Sequence, residues 1–119
     1  MGLNIYSRLL LALMPALLPA LVLGTGSAQA ASQDTLEAKA SDYGCFSCHG
    51  MLRKQVGPGF AQIAERYRKA PVPPEQLAAK IRNGSVGTWG RVIMPRQRQV
   101  SEADAQALAV WVLSQPSPP

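Results

Sequence analysis

The chain has 119 residues, with twelve Lys and Arg against seven Asp and Glu, and a formal net charge of +5. No Lys/Arg run exceeds two residues and the positive side chains alternate with apolar ones, which excludes a nucleic-acid-binding profile and suits a weakly basic surface facing an acidic protein. Two cysteines and one histidine are one ligand short of the four that a structural zinc site needs.

Residues 9–23, LLLALMPALLPALVL, form an apolar run without charge. Arg8 precedes it, and Ala28-Gln29-Ala30 puts small residues at the two positions a signal peptidase reads. This layout predicts a secretory signal over residues 1–30, cleaved after Ala30, and an exported, periplasmic protein. A retained N-terminal anchor is the alternative, but a span needs about 20 apolar residues, and this shorter run is interrupted by Pro15 and Pro19. Residues 31–119 then make a single domain that, without Arg8, keeps a net charge of +4. A domain of this size buries a modest core and commonly relies on a disulfide, a metal or a cofactor.

Four helices are expected along it. The first covers Asp34–Tyr43, capped by Ser32 or Asp34 and closed by Gly44. Phe60, Ile63, Ala64 and Tyr67 recur at helical spacing and predict a second over Phe60–Arg68. The third, Pro74–Arg82, starts on a proline suited to a first helical position and stops at Asn83-Gly84. The fourth, Glu102–Ser114, opens on a capping pair, Ser101 and Asp104, buries Leu108, Trp111 and Val112, and ends before Pro116, which begins a Pro-rich tail, residues 116–119. Between the last two helices, Ser85–Val100 shows neither a helical period nor a long β-alternation, and a long ordered loop is expected there. The fold class is all-α.

Both cysteines and the only histidine fall in CFSCHG, residues 45–50. A dithiol redox motif belongs on a βαβ scaffold, and no strand pattern flanks this one. A disulfide between Cys45 and Cys48 would close a tiny loop and leave His49 unexplained. C-x-x-C-H is the attachment pattern of a c-type haem. Cys45 and Cys48, on one side of a turn, can add to the two vinyl groups at one porphyrin edge. His49 then projects over the ring towards iron.

No second histidine is available as a sixth ligand. Met51 lies too close to His49 to reach the other face, whereas Met94, in the long loop and followed by Pro95, can. Elimination therefore favours Met94, and the alternative is a methionine that only fills the core. His/Met ligation gives a low-spin iron of relatively high potential with both axial positions filled, which points to electron transfer and away from catalysis. A ligating imidazole needs an acceptor for its other nitrogen, and the carbonyl of Pro58, in Val56-Gly57-Pro58-Gly59, is the candidate.

GCFSCH at Gly44–His49, VGPGF at Val56–Phe60, IRNGSVGTWG at Ile81–Gly90, Met94-Pro95 and AQALAVWVLSQ at Ala105–Gln115 resemble, in order, the small bacterial class I cytochromes c. The likeness is strongest to the short periplasmic type that donates electrons to dissimilatory nitrite reductase. The resemblance implies four to five short helices wrapped around one covalently bound haem, with Cys45 and Cys48 as thioether sites and His49 and Met94 as axial ligands. It implies that Pro58 accepts from His49, and that the Trp89 indole reaches a haem propionate. Ala40 stands where the family places a larger side chain against the last helix, with Tyr43 as partial substitute. Gln97, in a segment one residue longer than in close relatives, is a weak stand-in for the Asn with which relatives often orient the Met sulfur, and Lys80 stands where some members use Arg on a propionate.

The expected function is a soluble monohaem electron carrier, monomeric, not an enzyme, without nucleic-acid partners. Its partners would be redox proteins: a donor such as a membrane cytochrome complex, and an acceptor such as a nitrite reductase, terminal oxidase or peroxidase. Arg53, Lys54, Arg91, Arg96 and Arg98 are candidates for docking an acidic partner, so added salt should slow the reaction. The alternatives are a haem subunit of a larger oxidase or reductase, and a gas sensor or peroxidase with a labile Met94.

Overall fold

The computed structural model describes residues 26–119. Most of the expected signal segment lies outside the described residues. The chain runs through α1 (Gly26–Asp42), a 3-10 turn (Cys45–Ser47), α2 (Phe60–Lys69), α3 (Pro74–Asn83), β1 (Ser85–Gly87), β2 (Gly90–Met94) and α4 (Glu102–Leu113).

Each helix follows from its local chemistry. In α2 the apolar stripe Phe60, Ile63, Ala64 and Tyr67 is buried as its period requires, and the Gln62 side chain accepts from the Gly59 N–H at 2.9 Å, occupying one of the orphan donors at the helix start. In α3, Pro74 sits in the first turn with Glu75, while Lys80 and Arg82 lie in the last turn, so the charges oppose the helix dipole at both ends. Ser101 Oγ accepts from the Asp104 N–H at 3.1 Å and caps α4 as the sequence suggests. The first helix begins at Gly26, eight residues ahead of the expected start and across the expected cleavage point. The alanines between residues 28 and 31 are strong helix formers, and they carry the helix through Ser32 and Asp34, which therefore do not cap it.

The core lies where α4 meets α1, α2 and α3. Trp111 is 2% exposed and Val100 1%. Truncating a buried Trp of this kind costs about 3–5 kcal/mol. Ala40, 1% exposed, faces this core, and its small side chain leaves the bulk to Tyr43, which packs at the core edge and donates its hydroxyl to Asp104 at 2.5 Å. Lys39 pairs with the same carboxylate, so two residues of α1 are tied to the first turn of α4.

The segment Ser85–Val100 is not a plain loop. β1 and β2 form an antiparallel hairpin that pairs Ser85 with Met94 and Gly87 with Gly90. Gly84 opens it at φ 79°, and a Cβ there would fall on the Met94 carbonyl, so glycine lets the chain reverse tightly against Met94. The strands are three and five residues long, too short to register as alternation. The tail is also more ordered than its composition suggests. Arg68 donates to the Gln115 carbonyl at 2.8 Å and to Ser117 Oγ at 2.9 Å, which fastens residues 115–117 to α2. Among the described residues no helix is long and apolar enough to cross a membrane.

Candidate functional site

The 3-10 turn exists because Gly44 and Cys45 offer their carbonyls to Ser47, Cys48 and His49: the Ser47 N–H reaches Gly44 at 3.1 Å, and those of Cys48 and His49 reach Cys45 at 3.2 and 3.0 Å. It leaves Cys45 and Cys48 as partly buried free thiols, not a disulfide. Burial pushes the Cys45 thiol above its ordinary value.

His49 is held from three directions. Its Nδ1–H donates to the Pro58 carbonyl at 2.7 Å. A carbonyl can only accept, so Nδ1 carries the proton and Nε2 keeps its lone pair. Gly57 lies against the ring, where an added Cβ would stand 2.9 Å from Cε1. Phe60 stacks on the imidazole at 5.2 Å between centroids and 18° between planes, and Trp111 in turn abuts Phe60 at 5.0 Å. The ring is 9% exposed.

These groups open on one cleft of about 1270 Å³, solvent at its mouth included. All six residues chosen from the sequence line it: Cys45, Cys48, His49, Pro58, Trp89 and Met94. The first four come from the turn and the loop after it, and the last two from the hairpin. The remaining walls are mostly aliphatic, with Leu77, Ile81, Leu108 and Val112 among them. Lys80 is the cation in this lining, its Nζ 3.4 Å from both Tyr67 Oη and Thr88 Oγ1. Arg53, Lys54, Arg91, Arg96 and Arg98 are all exposed and lie outside the cleft lining. Gln97 lines the cleft but spends its amide on the Pro95 carbonyl at 2.9 Å, so it holds the turn after Met94. Two thiols, a lone-pair imidazole nitrogen and a thioether around an apolar slot fit a covalently held haem.

A family profile described as "Cytochrome C oxidase, cbb3-type, subunit III" matches residues 31–112. Cytochrome c-551 of Pseudomonas aeruginosa is 41% identical over 100 residues, which are 84% of this chain and 95% of that protein. The chain is a small class I cytochrome c. Cytochrome c-552 of Hydrogenobacter thermophilus is 42% identical to it over 78 residues, 66% of this chain and 79% of the relative. The crystal structure of Nitrosomonas europaea cytochrome c552 superposes with a TM-score of 0.63 at 40% identity, covering 66% of this chain and 98% of that one. Cytochromes c of this family carry one covalent haem c and transfer electrons, and in this cytochrome c the C-x-x-C-H region is Cys45, Cys48 and His49.

Sequence reasoning missed the contacts of two residues on this site. The sequence marks Phe60 as a helix position and as the end of VGPGF but not as a partner of the His49 ring, and it gives no sign of Arg66, whose guanidinium carbon lies 4.8 Å from the Trp89 ring centre. Both contacts join residues from different elements, and no local pattern announces them.

Proposed function

We propose that this cytochrome c is a soluble periplasmic one-electron carrier. In this reading Cys45 and Cys48 would form the thioethers, His49 and Met94 would ligate the iron, and Trp89 would hold a propionate. The bound haem supplies one-electron chemistry, its iron passing between ferrous and ferric. The protein's part is to fix the ligands and keep water out. The observation that carries the reading is the Nδ1–H of His49 on the Pro58 carbonyl, because it fixes the tautomer that presents Nε2 as a ligand and raises its basicity. Met94, on the hairpin that shares the cleft, offers the thioether that favours the ferrous state. With both axial positions filled, no site is left for substrate.

The donor is then a redox protein, such as a membrane cytochrome complex. The acceptor is a nitrite reductase, a terminal oxidase or a peroxidase, each meeting the exposed basic residues around the cleft. Potentiometry tests the ligand assignment. Met94→Ala should lower the reduction potential and remove the weak sulfur–iron band of the ferric protein, and a variant with native potential and band would exclude Met94. A second reading is favoured by the family profile itself, whose description is that of an oxidase subunit. Gel filtration separates the two: a free carrier elutes as a monomer, a subunit with its complex.

A further inference from the structure

A second hollow adjoins the haem cleft, and Pro58, Thr88 and Trp89 line both. Three elements build it. The loop after His49 brings Lys54 back into a backbone bridge with His49. Helix α2 contributes Gln62 and Arg66, and the hairpin turn contributes Thr88 and Trp89. The Arg66 guanidinium carbon lies 4.8 Å from the centre of the Trp89 ring, a cation–π contact that places its charge at the hollow. Gln62 has its Oε1 engaged by the Gly59 N–H, which leaves its NH2 as the group it can offer.

No carboxylate lines the hollow. The ion pairs among the described residues engage Lys39, Arg68, Lys69 and Arg82, and neither Lys54 nor Arg66. Glu65, the acid next to Arg66 in sequence, is bound to Lys69, Arg68 and Ser117 on another face of α2. Two cations without an ion-pair partner, one of them over an indole ring, make a place for a planar or tetrahedral oxyanion. The geometry points to an oxyanion site here, taking a carboxylate or phosphate between Arg66 and Lys54 at the edge of the haem cleft. The site rests on haem filling that cleft and not on which residue is the sixth ligand. Its occupant is an anion from solution or a carboxylate of the haem itself.

The test uses the haem-loaded protein and reads its reduction potential. Inorganic phosphate is titrated against chloride at fixed ionic strength, which holds screening constant. The potential is then followed against pH without phosphate. An anion beside the haem favours the ferric state, so binding lowers the potential, and by reciprocity the ferric form binds the anion more tightly. A dissolved occupant gives a saturable fall with phosphate that Arg66→Gln weakens about tenfold or more. A haem carboxylate gives no phosphate response, but the pH step of the potential moves upward in Arg66→Gln. In either case Arg66→Lys, which keeps the charge without the guanidinium fork, falls between the native protein and Arg66→Gln. Lys69→Gln, which removes one charge from the same helix outside the hollow, behaves as native. If Arg66→Gln tracks Lys69→Gln in both titrations, the site does not exist. The spectroscopic assignment of His49 and Met94 stands or falls independently of that result.

Discussion

One backbone carbonyl decides which nitrogen of His49 can bind a metal. Pro58 has no N–H to offer, its carbonyl is placed 2.7 Å from Nδ1, and the proton on that nitrogen follows. Gly57 and Phe60 then fix the plane of the ring from its two sides of contact. Gly57→Ala tests this restraint. Its methyl would stand 2.9 Å from Cε1 and 3.2 Å from Nδ1, so either the ring or the loop must shift. Overpacking of this kind costs about 1–3 kcal/mol. The haem-loaded variant should unfold at lower guanidinium concentration than the native protein and show an altered ferric spectrum. A native unfolding midpoint and spectrum would mean that the loop yields freely and does not position the ring. The two thiols, the imidazole, the thioether and the proline were legible in the sequence because each is named by its chemistry and by its distance along the chain. Phe60 and Arg66 were not, since their roles depend on which ring the fold sets beside them.

At the scale of the elements, two acidic residues fasten the helices together. Lys39 and then Tyr43 bind Asp104 and hold its carboxyl below the usual range, joining α1 to α4. Glu65 is held at about 2 by Lys69, Ser117 and Arg68, joining the tail to α2. Both carboxyls are more acidic folded than unfolded, so each stabilises the fold above its ordinary value, 3.8 for Asp104 and 4.5 for Glu65. That contribution is lost as pH falls towards the folded value. Thermal unfolding midpoints measured from about pH 6 down to about pH 2 should therefore fall more steeply for the native protein than for Asp104→Asn combined with Glu65→Gln. Equal slopes would show that neither contact holds in solution. The helices themselves were legible from their period and caps. The hairpin was not, because the pattern of three- and five-residue strands is indistinguishable from that of a loop, and only the pairing of Ser85 with Met94 reveals it. Nor was the early start of α1, where intrinsic propensity outweighs the cap signals at Ser32 and Asp34.

Among the described residues the core and the haem cleft share their side chains. Tyr67, Leu77, Leu108, Trp111 and Val112 belong both to the hydrophobic core and to the wall of the cleft. Val56, Val86, Val92 and Ile93 also line the cleft and are more than half exposed, so haem in the cleft would remove their apolar surface from water, which stabilises the fold at roughly 25 cal/mol per Å². The haem-free chain lacks that burial and should be largely unfolded by far-ultraviolet circular dichroism. A helical, cooperatively melting haem-free chain would refute this. That a cofactor was needed could be read from the length of residues 31–119 and the C-x-x-C-H pattern. How completely the walls of its slot double as the core could be read only from the packing.

If His49 and Met94 both ligate the iron of one covalent haem, the visible spectrum of the haem-loaded protein, oxidised and reduced, with and without carbon monoxide, will show it. The expected result is a sharp low-spin c-type spectrum, a weak sulfur–iron band in the ferric state, and no change in the reduced spectrum on adding carbon monoxide. A reduced spectrum that shifts with carbon monoxide would contradict it, and would make the sixth position a binding site instead of a closed one.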